Sequence, residues 1–185
     1  MKKIAIGLAT ALISSATAGV MHKNVAVGIG TEKSNMTIQS SSNLSIELSA
    51  GTKYFWTTGI VLGADVGFGY TKVPAGVVST EEEKLVSFNS NLKLGYSFGG
   101  DSGKGLGIYG LYGFRLGGTF YTDSQSKDKI STSTGEGAGA QVEYVFDNGW
   151  TIGAIYQTYS MTFDMAGIDS ASDNTNISAR IGYQW

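Results

Sequence analysis

Chemistry in this chain has few places to happen. It has no Cys and a single His, so thiolate metal sites, disulfides and multi-histidine centres are excluded. His22 would need a nearby nucleophile and an orienting acid to act as a catalytic base. The sequence offers no distinctive partners, and His22 precedes the first β pattern, so a solvated terminus is the expected reading. Gly105-Leu106-Gly107-Ile108-Tyr109-Gly110 matches the dinucleotide fingerprint G-x-G-x-x-G. That motif must follow a strand and open a helix, whereas here it begins a β pattern, and chance in a Gly-rich chain accounts for it. Glu81-Glu82-Glu83 reads as a solvated acidic loop, and Asp164, Asp169 and Asp173 lack the spacing of a calcium loop. No catalytic, cofactor or metal site is expected, and the chain is read as a non-enzyme. What remains is a set of charges in strand-like segments: Glu47, Asp65, Lys93, Arg115, Glu143 and Arg180.

The elements that must position those charges alternate with period two. Leu44, Ile46 and Leu48 alternate with Ser45, Glu47 and Ser49; Ile60 to Tyr70 alternate with Val61, Gly63, Asp65, Gly67 and Gly69. Similar patterns cover Val25–Gly30, Phe88–Phe98, Ile108–Phe120, Gly137–Phe146 and Ile177–Trp185. The stretch from Trp150 to Phe163 changes face, which a bulge near Gln157 or Thr158 would reconcile. Eight strands are predicted. Ser49–Lys53, Gly99–Gly105 and Asp147–Gly149 read as short turns, with longer polar loops at Glu32–Asn43, Thr71–Lys84, Thr122–Ser133 and Asp164–Asn176. These loops are expected to hold Glu32, Lys33, Lys72, Glu81–Glu83, Lys84, Asp123, Lys127–Lys129, Asp164, Asp169 and Asp173. Short turns at one end and long loops at the other describe an up-and-down meander with both termini at the short-turn end.

Composition decides the surrounding solvent. The chain has 185 residues, 27 of them Gly, and only 15% charged residues against the usual ~25%. Its net charge of −2 gives no basic footprint for nucleic acid. Lys2 and Lys3 precede an apolar run, Ile4 to Ile13, and the small residues Ser14 to Ala18. That is a cleavable secretory signal over 1–18, and its apolar run falls short of the ~20 residues a spanning helix needs. The remaining 19–185 form one domain. Its aromatic residues cluster at two heights: Tyr54, Trp56, Tyr96, Phe98, Tyr144, Phe146, Trp150, Tyr183 and Trp185 beside the short turns, and Phe68, Tyr70, Phe88, Phe120, Tyr121, Tyr159 and Phe163 at the other end. Phe88 and Phe98 would stand ~25 Å apart along a tilted strand, the height of a membrane barrel's apolar band. The apolar face is therefore read as facing lipid and the charged face as lining a lumen. The predicted fold is an all-β, eight-stranded antiparallel up-and-down transmembrane barrel.

On these residues the chain resembles the small eight-stranded outer-membrane barrels of Gram-negative bacteria, the group of OmpX and the OmpA transmembrane domain. The ending Ile177-x-Ala179-x-Ile181-x-Tyr183-x-Trp185 is similar to that family's assembly signal, with Trp in place of the usual final Phe. The resemblance implies the bacterial outer membrane, insertion by a barrel-assembly machinery, and contact with membrane lipids and lipopolysaccharide. With nothing after the barrel, no peptidoglycan-binding domain is expected. Lipid A enzymes among such barrels use a His near the outer surface, and His22 lies at the other end.

An eight-stranded lumen is just wide enough for side chains to fill, so its charges should pair. Two clusters are expected: Glu47, Lys93, Glu143 and Arg180 at one level, Asp65 and Arg115 above it. They form either a polar plug or a gate, with Gly63, Gly67, Gly69, Gly113, Gly117, Gly137, Gly139 and Gly153 leaving room for water. The expected role is structural or adhesive at the cell surface, as a monomer whose external loops carry any surface ligand. The alternative is a narrow porin-like channel; an exported soluble lipid carrier would differ in needing no detergent.

Overall fold

The computed structural model describes residues 19–36, 39–73, 83–122, 128–165 and 168–185. The predicted signal segment and Glu81, Glu82, Asp123 and Lys127 lie outside the described residues. Eight antiparallel strands close into a barrel in sequence order. They are β1 (Gly19–Met36), β2 (Gln39–Trp56), β3 (Ile60–Val73), β4 (Glu83–Ser97), β5 (Gly105–Thr122), β6 (Asp128–Val145), β7 (Trp150–Met165) and β8 (Ile168–Gln184). Closure is made by β1 against β8, from Asn24↔Gln184 to Asn35↔Asp173. Lys23 and Trp185 continue the seam with two backbone hydrogen bonds of 2.9 and 3.0 Å.

The barrel is inside-out relative to a soluble protein. Leu48, Phe68, Leu92, Leu94, Tyr112 and Ile181 are each more than half exposed, while Lys53, Lys93 and Arg115 are buried. Burial of ions with exposure of aliphatics is costly in water, and lipid is the solvent that reverses both costs.

Three features differ from the sequence expectations. The first short turn lies at residues 57–59, after β2, and not at Ser49–Lys53. Ala50-Gly51-Thr52 has turn composition, yet Gly51 sits opposite Asp65 within a continuous β2–β3 register. The turn itself closes on Gly59, whose φ of +88° suits Gly. Second, three of the four polar stretches read as long loops, Glu32–Asn43, Thr122–Ser133 and Asp164–Asn176, are largely paired backbone. β1 runs on to Met36 and pairs with Gln39, β5 and β6 pair out to Thr122↔Asp128, and β7 and β8 out to Met165↔Ile168. Ser, Thr and Asn can occupy strands here because the ladder, not burial, holds these hairpins. Third, β7 has no bulge: its register with β6 is unbroken from Thr132↔Asp164 to Val145↔Thr151. Its inward face holds Ile155, Gln157, Tyr159 and Met161, all buried. The change of face in the sequence reflects apolar side chains used inside the lumen, and Tyr159 leaves the outer aromatic belt.

That belt is otherwise laid out on the outer surface. Tyr96, Phe98, Tyr144, Phe146, Trp150, Tyr183 and Trp185 are exposed beside the short turns, and Phe68 and Tyr70 near the opposite end. Tyr54 and Phe88 are half-buried. Edge-on pairs join Tyr96 to Phe98, Tyr144 to Phe146 and Phe68 to Phe88, with centroids 5.0–5.3 Å apart. Trp56 departs from the expectation: it shares the outward parity but is only 5% exposed, packed edge-on with Tyr54. Phe120 has outward parity too, with its side chain outside the described set. Ile177, Ala179, Ile181 and Tyr183 all face outward on β8.

Candidate functional site: the charged lumen

The lumen is built from every second residue of each strand, so its contents follow from strand parity. Large polar side chains from one strand lie over small residues of the next, the small-against-large filling that a narrow barrel requires. Gly63 sits between Lys53 and Lys93 in the ladder, and Gly153 between Glu143 and Arg180. A Cβ on Gly137 would lie 2.7 Å from the Tyr159 ring, and one on Gly67 3.2 Å from the Glu47 carboxylate. The glycines thus make space that neighbouring side chains take up.

At the short-turn end the floor is apolar. Phe55, Val61, Tyr109, Leu111 and Ile155 form a buried cluster. The β4–β5 turn, with its short 3-10 segment Gly100–Ser102, folds against this end. Gln184 Nε2 donates to the Gly103 carbonyl at 3.1 Å. His22 is not a solvated terminal residue: it belongs to β1, lies edge-on to Phe55 with centroids 5.2 Å apart, and has Nε2 3.3 Å from the Asp101 carbonyl oxygen. It sits where β1 continues below its pairing with β8. A surface recess of about 250 Å³ there is lined by His22, Ser102, Lys104, Asp147 and Trp185, among others.

Above the floor, Lys53 forms an ion pair with Glu143 and donates to Gln184 Oε1 at 3.2 Å. Its ammonium lies 5.4 Å from the Tyr109 ring centroid, and Gln141 donates to the second Glu143 oxygen at 3.1 Å. In the middle, Asp65 stands between Lys93 at 2.8 Å and Arg180 at 3.6 Å. Arg180 also reaches Glu47 at 4.0 Å and bonds Ser49, while Asn89 donates to Glu47 at 2.7 Å. Toward the far end, Arg115 pairs with Glu32 at 2.8 Å and donates to Ser87 at 3.2 Å. Its guanidinium lies 5.5 Å from the Tyr159 ring. Thr71 and Asn174 complete Glu32, donating at 3.2 and 3.1 Å. Gln157 adds a cross-lumen bond to Asn91 at 2.7 Å.

All six charges singled out in the sequence line the lumen, but not in the two expected groups. Glu143 pairs with Lys53, Asp65 joins Lys93 and Arg180, and Arg115 finds Glu32. Two members were missed. The sequence pattern places Lys53 in a turn and Glu32 in an external loop, whereas Glu32 is 2% exposed on β1. Carrying the parity of Gly28 and Gly30 forward reaches Glu32, and that of Glu47, Ser49 and Gly51 reaches Lys53. With them the described lumen carries Lys53, Lys93, Arg115 and Arg180 against Glu32, Glu47, Asp65 and Glu143. Each of these ions has an opposite charge within 4.0 Å, as low-dielectric burial demands.

Comparison with known proteins places this geometry. Residues 4–184 match the family described as outer membrane protein beta-barrel domain. No curated protein matches the sequence. Among solved structures, Neisserial surface protein A is similar with a TM-score of 0.63 at 16% identity, covering 89% of this chain and 97% of that one. The attachment invasion locus protein Ail of Yersinia pestis, solved with the heparin analogue sucrose octasulfate, has a TM-score of 0.61 at 11% identity, covering 89% and 99%. A major outer membrane protein from Thermus thermophilus has a TM-score of 0.52 at 13% identity, covering 90% and 100%.

Proposed function

The chain belongs to the outer membrane protein beta-barrel domain family, an integral outer-membrane barrel, and from that premise we propose that its role at the cell surface is structural or adhesive. The observation that carries this reading is the pairing of charge in the described lumen: a floor of Phe55 and Val61, then mutually paired ions up to Glu32 and Arg115. A pore must offer a solute a continuous polar path. Here each lumen charge is already matched by a neighbour. The work is then left to the far end, where the hairpins β1–β2, β5–β6 and β7–β8 stay paired out to Met36↔Gln39, Thr122↔Asp128 and Met165↔Ile168.

Segment 1–18 acts in this reading as the export signal, and the β8 ending as the mark by which the assembly machinery takes up the chain. The barrel serves as a monomer, and its hairpins present any surface ligand. The names of two structural relatives, a surface protein and an attachment invasion locus protein, agree with such a role without fixing it for this chain.

The test is paired. The refolded barrel in a planar lipid bilayer should show no steady single-channel steps. Bacteria displaying it should bind glycan- or matrix-coated surfaces more than control cells, and shortening the β1–β2 or β5–β6 hairpin should abolish the excess. If no binding is gained, the role is structural. Reproducible conductance steps altered by Arg115→Ala would overturn the proposal and make the barrel a narrow pore.

A further inference from the structure

The β4–β5 connection is longer than its end of the barrel requires. The other hairpins there close over residues 57–59 and 146–149, whereas residues 98–104 join β4 to β5. A hairpin can reverse in two residues, so most of this segment is surplus to the turn. Phe98 N–H still donates to the Leu106 carbonyl at 2.9 Å. Beyond that rung the chain passes through the 3-10 segment and lies against β1 and β2.

What it covers is the lowest layer of the lumen. Phe55 is next to the last residue of β2 and Val61 next to the first of β3, yet both are fully buried. A Cβ on Gly103 would lie 3.1 Å from the Phe55 ring and 2.8 Å from Gln184 Nε2, so glycine is what lets the backbone approach this closely. The segment is braced within itself. Ser102 Oγ donates to the Gly99 carbonyl at 2.7 Å and accepts from Lys104 N–H at 3.3 Å, and Gly103 N–H donates to the Gly100 carbonyl at 3.3 Å. Among the described residues its ties to the barrel wall are fewer. Gln184 of β8 donates to the Gly103 carbonyl, and His22 of β1 has Nε2 3.3 Å from the Asp101 carbonyl. The Lys104–Asp147 pair, at 3.7 Å, is exposed and contributes little. Ser102 and Lys104 also border the recess of about 250 Å³ shared with Asn148 and Gly149, which gives the segment room to swing.

We propose that residues 99–105 form a hinged lid that governs access from the short-turn side to the lumen floor, with Gln184 and His22 as its latches. A unit braced inside and tied outside by two side-chain bonds opens as a body, turning at its flanking glycines, Gly99 and Gly105. Closed, it keeps water from Phe55 and Val61 and from the Lys53–Glu143 pair above them. Gln184 links the two layers, since its Oε1 accepts from Lys53 while its Nε2 holds the lid. Open, it admits water and small polar solutes to that layer alone, because the ion pairs higher in the lumen stay in place. The latches come from the two strands that close the barrel, so the lid is fully fastened only when both are in position. It is independent of whatever the hairpins bind at the far end.

The chain has no Cys, so single introduced thiols report access directly. Val61→Cys places one on the floor, Ser102→Cys one on the exposed lid, and Ser133→Cys one in the buried far half of the lumen. Each barrel, refolded in detergent micelles, is treated with a charged, water-soluble methanethiosulfonate, and the labelling rate is followed by mass. Position 61 should react far more slowly than position 102. His22→Phe and Gln184→Met, which keep the ring and the side-chain volume, should each raise the rate at 61 about fivefold, and about thirtyfold together, since labelling follows the open population and each removes one hydrogen bond. The rate at 133 should not move. Replacing residues 99–105 by Asn-Gly leaves a two-residue turn between Phe98 and Leu106 and should raise the rate at 61 at least as far. The heat-dependent gel shift of folded barrels confirms that each variant is folded. A rate at 61 that is unchanged without latches or lid would overturn the proposal. So would equal rises at 61 and 133, which mark general loosening, or a parent barrel in which 61 labels as fast as 102.

Discussion

Replacing Arg115 with Met probes whether the lumen charges hold the barrel together. The Arg115 and Glu32 side chains are each 3% exposed and lie 2.8 Å apart. Met keeps most of the aliphatic volume but leaves Glu32 without its counter-ion. Removing one partner of a buried pair costs about 3–5 kcal/mol. Thr71 and Asn174 still donate to Glu32, at 3.2 and 3.1 Å, which places this case at the lower end, about 3 kcal/mol. With a urea dependence of roughly 2 kcal/mol per molar, the unfolding midpoint should fall by about 1.5 M. Adding Glu32→Gln removes the orphaned charge and should recover most of the loss, because a pair replaced at both ends is often near neutral. Urea unfolding in detergent micelles, followed by tryptophan fluorescence, measures both variants. A single variant with an unchanged midpoint would refute the pairing, and so would a double variant as unstable as the single.

Two further predictions follow the same geometry. Leu48→Arg places a cation on the lipid face, where Leu48 is 54% exposed, and should destabilise the barrel by about 2–4 kcal/mol if the site is near the midplane; unfolding from lipid vesicles reads it. Gly137→Ala should cost about 1–3 kcal/mol because its Cβ meets the Tyr159 ring at 2.7 Å, whereas Gly110→Ala, with nothing nearer than the Leu94 carbonyl at 3.7 Å, should be neutral or stabilising by roughly 0.5 kcal/mol; urea midpoints of the two variants compare them directly.

Strand alternation made the barrel legible because a membrane barrel must keep period two on all its strands. It also assigned Glu47, Asp65 and Arg180 to one face without knowledge of their partners. What it could not supply was where pairing ends. Glu32 and Lys53 were misplaced because Ser, Thr, Asn and Gly around them have turn composition, while backbone hydrogen bonds carry the hairpins past the apolar band regardless of composition. The reading of β7 failed for a different reason. Ile155, Tyr159 and Met161 are apolar yet inward, supplying aliphatic and aromatic volume beside the lumen ions. The pairing of Glu143 with Lys53, 90 residues apart in sequence, depends on register across several strands and on tilt, which no local pattern encodes.

Glu32 has a consequence for how the barrel closes. It lies on β1, one of the two closing strands, and accepts from Thr71 on β3, Arg115 on β5 and Asn174 on β8. A one-residue slip at the β1–β8 seam turns every side chain of the slipped strand to the opposite face. It would drive Arg180, between the outward Ala179 and Ile181, into hydrocarbon, or turn Glu32 out of the lumen, and leave the former partners unmatched inside. Backbone hydrogen bonds alone cannot distinguish the right seam from that neighbour, since both satisfy the ladder. The lumen ions can, because only the right seam leaves each of them beside its opposite charge.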